Sequence, residues 1–309
     1  MAQRSRSSVF PLVPRYRVAG LPLGGRPSLR RGHGSDVAGS RVYVRGDPIS
    51  TIDWRASARL STALDRDEFV VRERYAEEAP RVVVVRDRRP SMSLYSPPFP
   101  WLSKPKAVAG AIAAIVASAE AVNSSVAYID HAAGDEPYWL PPGGRGVLER
   151  IEARERESVE GSQPDSVAQG LEYLERFRSE LASGTFVFVI SDFLGAPVPD
   201  SVWLTTAARR WEAVPVVVQD PTWEQSFPPV SSLVLPLADP DTGEIAEVRL
   251  SRRDALHLRL ANERRRDALL AGFTLLGLEP VLLDTSEQDE IDRRFLDWAE
   301  RRRDLRSRR

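Results

Sequence analysis

Four consecutive valines, Val82–Val85, run directly into Arg86 and Asp87. A β-branched run with no polar residue within it has no face to turn to water. It predicts a strand buried on both faces, the situation of an inner strand in a parallel sheet. TFVFVI (185–190), AVPVVVQ (213–219) and EPVLLDT (279–285) are three further runs of this kind. SVAYID (125–130) adds a strand, with EPYWL (136–140) as its hairpin partner.

Helical patterns separate these runs. Residues 106–123 are rich in alanine, with Ile112, Ile115 and Val116 interspersed, which suits a helix packed closely on a sheet. Residues 145–157 form an amphipathic pattern with a charged outer face. Residues 164–180 open with a proline and an acid, as helices favour. Residues 251–277 form a long helix ending at Gly277, and residues 287–305 a closing one. Strands alternating with helices predict an α/β fold: a mostly parallel central sheet with helices on both faces. Residues 220–250 interrupt the alternation with a proline-rich β-hairpin insertion, its turn at DPDTGE (239–244).

Residues 1–79 read differently. Glycines and prolines punctuate short runs such as RYRV and RVYV, and large apolar residues are few. The expectation is an N-terminal β-rich arm at 1–79 packed on the body formed by 80–309, with no core of its own.

Composition removes several function classes. There is no cysteine, so disulfides and thiolate metal sites are excluded. The three histidines, His33, His131 and His257, are too dispersed to predict a zinc site. The formal net charge of -1 argues against a nucleic-acid partner, and the arginine-rich tail reads as a solvated helix end. PPGGRG (141–146) lacks the Gly-Lys-Ser/Thr ending of a phosphate-binding loop and reads as a turn before a helix. The apolar stretch 107–119 is too short for a transmembrane segment, and no export signal is visible, so a cytoplasmic location is expected. Only Lys104 and Lys106 are lysine among 43 basic residues, a bias that suggests a GC-rich bacterial genome.

In open α/β sheets, ligands bind beyond the carboxyl ends of the strands. Asp87, Asp192, Asp220 and Asp284 all fall there. Two segments add a resemblance to this reading. RVYVRGDPISTIDWRASARL (41–60) carries Arg41, Tyr43, Gly46, Asp47, Ile52, Asp53, Trp54, Ala58 and Arg59 in the spacing of the family called domain of unknown function 58. VVVVRDRRPSM (82–92), followed by FVFVISDF (186–193), resembles the metal-ion-dependent adhesion site of von Willebrand A domains. The resemblance covers roughly residues 35–300 and implies a von Willebrand A-like domain at 80–309.

The metal site departs from the family pattern. With Ser91-Met92 setting the alignment, Asp87 takes the aspartate position, Ser91 the second serine position and Asp192 the distal aspartate position. Arg89 stands where the first serine hydroxyl belongs, and Asp165 or Ser166 stands near the place of a loop threonine. Magnesium needs hard oxygen ligands, whereas a guanidinium offers no lone pair and keeps its charge. A degenerate adhesion site follows, with magnesium bound weakly or not at all through Asp87, Ser91 and Asp192. In this reading Arg89 either fills the cavity in place of the cation or points to solvent beside Arg86 and Arg88. Asp87 and Asp192 otherwise have only helix-capping roles.

The segment from Arg41 to Arg59 reads as a structural polar network, with a docking surface as the alternative. The resemblance implies a non-catalytic protein-interaction module working with a MoxR-type AAA+ ATPase in assembly or maturation of a target protein. The alternative is a magnesium-dependent phosphoryl-transfer enzyme using Asp87 and Asp192. Against it, Arg89 stands where such a site needs a second aspartate.

Overall fold

A computed structural model describes residues 9–14, 26–31, 37–43, 52–64, 66, 68–78, 81–94, 102–132, 136–157, 165–178, 180–181, 184–231, 233–238 and 244–307. The chain divides into two compact units, Tyr16–Pro80 and the remainder, Met1–Arg15 with Arg81–Arg309.

The smaller unit contains strands β1 (Arg26–Arg31), β2 (Val37–Val42) and β3 (Val70–Glu78), and helix α1 (Trp54–Leu64). β3 is the middle strand of an antiparallel sheet ordered β1-β3-β2. The sequence reading of this region as β-rich missed α1. The helix starts where the Asp53 carboxylate accepts the backbone amides of Arg55 and Ala56, each at 3.1 Å. RYRV lies outside the described residues.

The larger unit is built on a six-stranded sheet ordered β11-β8-β7-β4-β5-β6. Its strands are β4 (Val82–Arg86), β5 (Val126–Asp130), β6 (Tyr138–Gly143), β7 (Phe186–Ser191), β8 (Glu212–Val218) and β11 (Val281–Leu283). The β5–β6 pair is antiparallel and the other pairs are parallel. This is the mostly parallel sheet expected from the buried runs. β9 (Leu233–Ala238) and β10 (Ile245–Leu250) form the separate antiparallel hairpin expected in the insertion.

The valine run shows why both faces must be covered. Val82 and Val84 enter one apolar cluster, and Val83 and Val85 enter the other. The first cluster is closed by helices α2 (Lys104–Ala121), α3 (Val147–Glu157) and α7 (Gln288–Ser307). The second is closed by α4 (Ser166–Tyr173), α5 (Asp200–Ala208) and α6 (Arg252–Leu275). Small residues let α2 and α7 approach closely. A Cβ on Gly110 would stand 2.7 Å from both Gln288 Oε1 and Ile291 Cδ1.

Phe10 and Val13, within the 1–79 stretch expected as the arm, are buried in the first cluster. The Phe10 ring stacks on Phe295 at 4.7 Å between centroids, and its amide donates to Ser118 Oγ at 3.0 Å. Residues 9–14 thus belong to the core of the larger unit.

Chain order places a switch at the centre of the sheet. β4 connects through α2 to β5 on one side, while β7 connects through α5 to β8 on the other. The loops leaving β4 and β7 therefore diverge, and a crevice opens between their carboxyl ends.

Candidate functional site

Asp87 follows β4 and Asp192 follows β7, so the register of these adjacent parallel strands brings both carboxylates to the crevice. Both residues are fully buried. The chain returns from β4 over this point, and Arg89 folds back onto it. Arg89 Nη2 donates to Asp87 Oδ2 at 2.6 Å and to Asp192 Oδ1 at 2.7 Å. Its Nε donates to both Asp87 oxygens, at 3.1 and 3.0 Å. Ser191 Oγ completes the Asp87 shell, donating to Oδ2 at 2.6 Å. One guanidinium thus joins the two carboxylates by charge-assisted bonds.

A second cation sits on the far side of Asp192. Lys104, the first residue of α2, is fully buried and donates from Nζ to Asp192 Oδ2 at 2.8 Å. The same ammonium pairs with Glu224, whose Oε2 accepts the Asp220 amide at 2.8 Å. Gln219 Nε2 donates to the Asp192 carbonyl at 2.6 Å and ties the end of β8 to the same loop.

The charges set the protonation states. Burial opposes the Asp192 carboxylate, but Lys104 and Arg89 outweigh it and hold its pKa at about 2. For Glu224 burial wins over Lys104, and its pKa is pushed up. Arg89 is held above its ordinary value: burial opposes its charge, but the bonds to Asp87 and the charges of Asp87 and Asp192 outweigh it.

The other expected site residues are placed less simply. Ser91 lies in a short 3-10 turn, Pro90–Ser93, and its Oγ is buried with no hydrogen-bond partner among the described residues. Asp165 precedes α4, is exposed, and accepts from Gln169 Nε2 at 2.7 Å. The buried Ser166 is the residue that touches the Asp87 loop, its Oγ accepting the Arg88 amide at 3.3 Å. Arg86 and Arg88, offered above as solvent-facing, are both buried. Arg88 Nη1 reaches Glu155 at 3.0 Å, and Asp130 takes a bidentate pair from Arg154 at 3.0 and 2.8 Å. This second network sits beside the first and shares no side chain with it among these bonds.

The arrangement leaves no room for a bound divalent ion. Magnesium would lie about 2.0–2.1 Å from its carboxylate oxygens. Nη2 of Arg89 already fills the space between Asp87 Oδ2 and Asp192 Oδ1. The residues as arranged do not fit the ion that the adhesion-site pattern implies.

A family comparison covers this whole arrangement. Residues 39–268 match the family described as "Protein of unknown function DUF58". The chain belongs to the DUF58 family. The matched region runs from β2 through most of α6 and includes Asp87, Arg89, Lys104, Asp192 and Glu224. No curated protein matches. Among solved structures, BatB from Bacteroides thetaiotaomicron is 15% identical, with a TM-score of 0.41 over 72% of this chain and 99% of that one. An aerotolerance-related membrane protein from Bacteroides fragilis is 12% identical, with a TM-score of 0.42 over 72% and 99%. The pilus adhesin SpaC from Lactobacillus rhamnosus GG is 12% identical, with a TM-score of 0.39 over 73% of this chain and 30% of that one.

The DUF58 signature segment forms a local scaffold within the smaller unit. Arg41 pairs with Val71 in the β2–β3 ladder, and the Tyr43 amide donates to the Phe69 carbonyl at 2.7 Å. Ile52 bridges Val71, and Asp53 donates its amide to Val70 at 2.8 Å while capping α1. Trp54 and Tyr43 each pack edge-on against Phe69. Ala58 and Arg59 are exposed on α1. Gly46 and Asp47 lie outside the described residues. The residue that the sequence reading passed over is Ser57, buried between α1 and β3. Its Oγ donates to the Asp53 carbonyl at 2.7 Å and accepts the Val70 amide at 2.9 Å. Ser57→Ala leaves that amide without its partner and is expected to cost about 1–3 kcal/mol. Amide exchange at Val70 checks it, and an unchanged rate would contradict the assignment.

The loop after β7 is shaped to receive Arg89. Phe193 has φ 52°, a left-handed conformation that is unusual for an aromatic residue. The turn lets Ser191 Oγ and Asp192 Oδ1 accept the amides of Phe193 and Leu194, at 2.9 and 3.0 Å. At Gly195 a Cβ would overlap Arg89 Nη1 and stand 2.8 Å from its Cζ. The guanidinium is pinned by two carboxylates and cannot move aside cheaply. Gly195→Ala is expected to destabilise the protein by about 1–3 kcal/mol, as other overpacked sites do. The same change made on an Arg89→Ser background should cost far less. Urea denaturation of the four proteins measures the coupling, and equal costs in both backgrounds would refute the contact.

Proposed function

We propose that this chain is a non-catalytic protein-interaction module whose adhesion-type site is held together by built-in cations in place of a metal. The observation that carries the reading is the Arg89 guanidinium bonded to both Asp87 and Asp192. The crevice lies where α/β sheets bind ligands, yet neither carboxylate is free to react. Both oxygens of Asp87 accept hydrogen bonds from Arg89, and Oδ2 also accepts one from Ser191. That occupancy speaks against the phosphoryl-transfer alternative, which needs an open Asp87 oxygen and a bound magnesium ion. A rigid, charge-satisfied loop cluster suits recognition, because a preorganised surface loses little entropy on binding.

The resemblance to relatives encoded beside MoxR-type AAA+ ATPases supplies the proposed partner: such an ATPase, acting with this chain on a target protein during assembly or maturation. The proposed setting is cytoplasmic; no helix among the described residues is long and apolar enough to cross a membrane. The test is affinity purification of the tagged chain with and without ATP. The expected result is co-purification of an AAA+ ATPase whose yield changes with nucleotide. Absence of any ATPase in both conditions would count against this partner.

A further inference from the structure

The site opens onto a groove of about 280 Å³ that none of the preceding argument uses. One wall is a single face of α4 and the residue before it: Asp165, Ala168, Gln169 and Glu172 follow one another at helical spacing. The other wall is the loop after Asp192, with Phe193, Val198 and the exposed Pro197 and Pro199. Arg89 and Ser191 form part of the lining.

The charges are unequal between floor and rim. At the floor, Arg89 spends Nε and Nη2 on Asp87 and Asp192, so its positive charge is already balanced. Its Nη1, on a side chain only 10% exposed, donates to nothing among the described residues. At the rim, Asp165 and Glu172 are exposed carboxylates with no ion-pair partner among the described residues. A ligand here meets one neutralised donor, an apolar proline-lined wall and two negative charges.

We propose that this groove docks an extended peptide segment of a partner protein, carrying a lysine or arginine next to an apolar residue. A backbone carbonyl of the segment accepts from Arg89 Nη1. The apolar side chain lies on Pro197, Val198 and Pro199, and the basic side chain pairs with Asp165 and Glu172. The acidic rim disfavours a carboxylate ligand by the same electrostatics. The inference rests on the protein-interaction reading and adds the chemistry of the partner.

The test uses the full chain on an array of eight-residue peptides with equal apolar content and basic, neutral or acidic charge. The wild type should favour the basic set at least tenfold over the acidic one, and 0.5 M salt should erase the preference. Asp165→Lys/Glu172→Lys should reverse it. Ala196→Trp, at an exposed lining position, should block all peptides while melting like the wild type. Preference for acidic peptides, or basic binding unchanged in these variants, would overturn the groove while leaving the interaction reading intact. Binding to no peptide would overturn it too, and the ATPase capture above would still decide the broader reading separately.

Discussion

Lys104→Ala is expected to lower the unfolding free energy by about 3–5 kcal/mol, the usual cost of removing one partner from a buried ion pair. Lys104 is fully buried and holds two carboxylates, Asp192 and Glu224, that have lost their water. Without the ammonium, Asp192 Oδ2 and Glu224 Oε1 face each other across a cavity. The penalty comes mainly from stranding those charges. Lys104→Met, which keeps most of the volume, should therefore cost nearly as much as alanine. Adding Asp192→Asn and Glu224→Gln to Lys104→Met should recover much of the loss, because no charge is then left unpaired.

The pH dependence follows from the same contacts. Asp192 has its folded pKa depressed, to about 2 against an ordinary 3.8. Its contribution is present above the unfolded value and fades as pH falls through the folded one. The wild type should lose on the order of 2 kcal/mol from this group between about pH 4 and pH 2. Glu224 has the opposite sign: its raised pKa makes its charged form a cost once pH climbs above that value. In Lys104→Ala the acid loss linked to Asp192 should begin at higher pH. Denaturant midpoints measured from pH 2 to 7 check both statements. A Lys104→Ala protein within 1 kcal/mol of the wild type would show that the ammonium does not serve these carboxylates.

The central sheet was legible in the sequence because runs such as Val82–Val85 and Phe186–Ile190 have no polar face and so must be covered on both sides. Asp87 and Asp192 stood out because each lies just past such a run, separated from its end by one residue. Helix α1 carried a helical signal that went unused: Ala56, Leu60 and Leu64 recur at helical spacing opposite Arg55, Arg59 and Thr62, although the buried side chain is Ser57. α5 was hidden for a physical reason: its apolar residues are spread around its circumference, so no stripe repeats along it. Lys104 carried a signal that went unused. A lysine in the first turn of a helix opposes the helix dipole, and α2 has no acid there to offset it. Such a local conflict points to a tertiary partner. Its rarity in an arginine-rich chain points the same way, since a compact ammonium on a flexible stem and a planar guanidinium are not interchangeable in a buried site. Glu224 gave no signal, because it lies in the proline-rich excursion and reaches the site only through the turn after β8.

Arg89→Ser is expected to raise the protein's affinity for magnesium. The substitution removes a fixed positive charge from the point where the cation would stand. Two unit charges about 4 Å apart repel by about 4 kcal/mol at an effective dielectric near 20. A third of that already equals a tenfold change in affinity. The serine also returns a neutral oxygen, and both Asp87 oxygens and Asp192 Oδ1 are released from the guanidinium. Lys104 remains on Asp192 Oδ2 and limits the gain. The same change leaves two carboxylates close together, so without metal the variant should be less stable than the wild type, and magnesium should restore part of the loss. The decisive measurement is isothermal titration of magnesium into wild-type and Arg89→Ser protein. Built-in replacement of the metal predicts no binding below millimolar concentration in the wild type and at least a tenfold gain in the variant. Micromolar binding by the wild type, or no gain in Arg89→Ser, would contradict it.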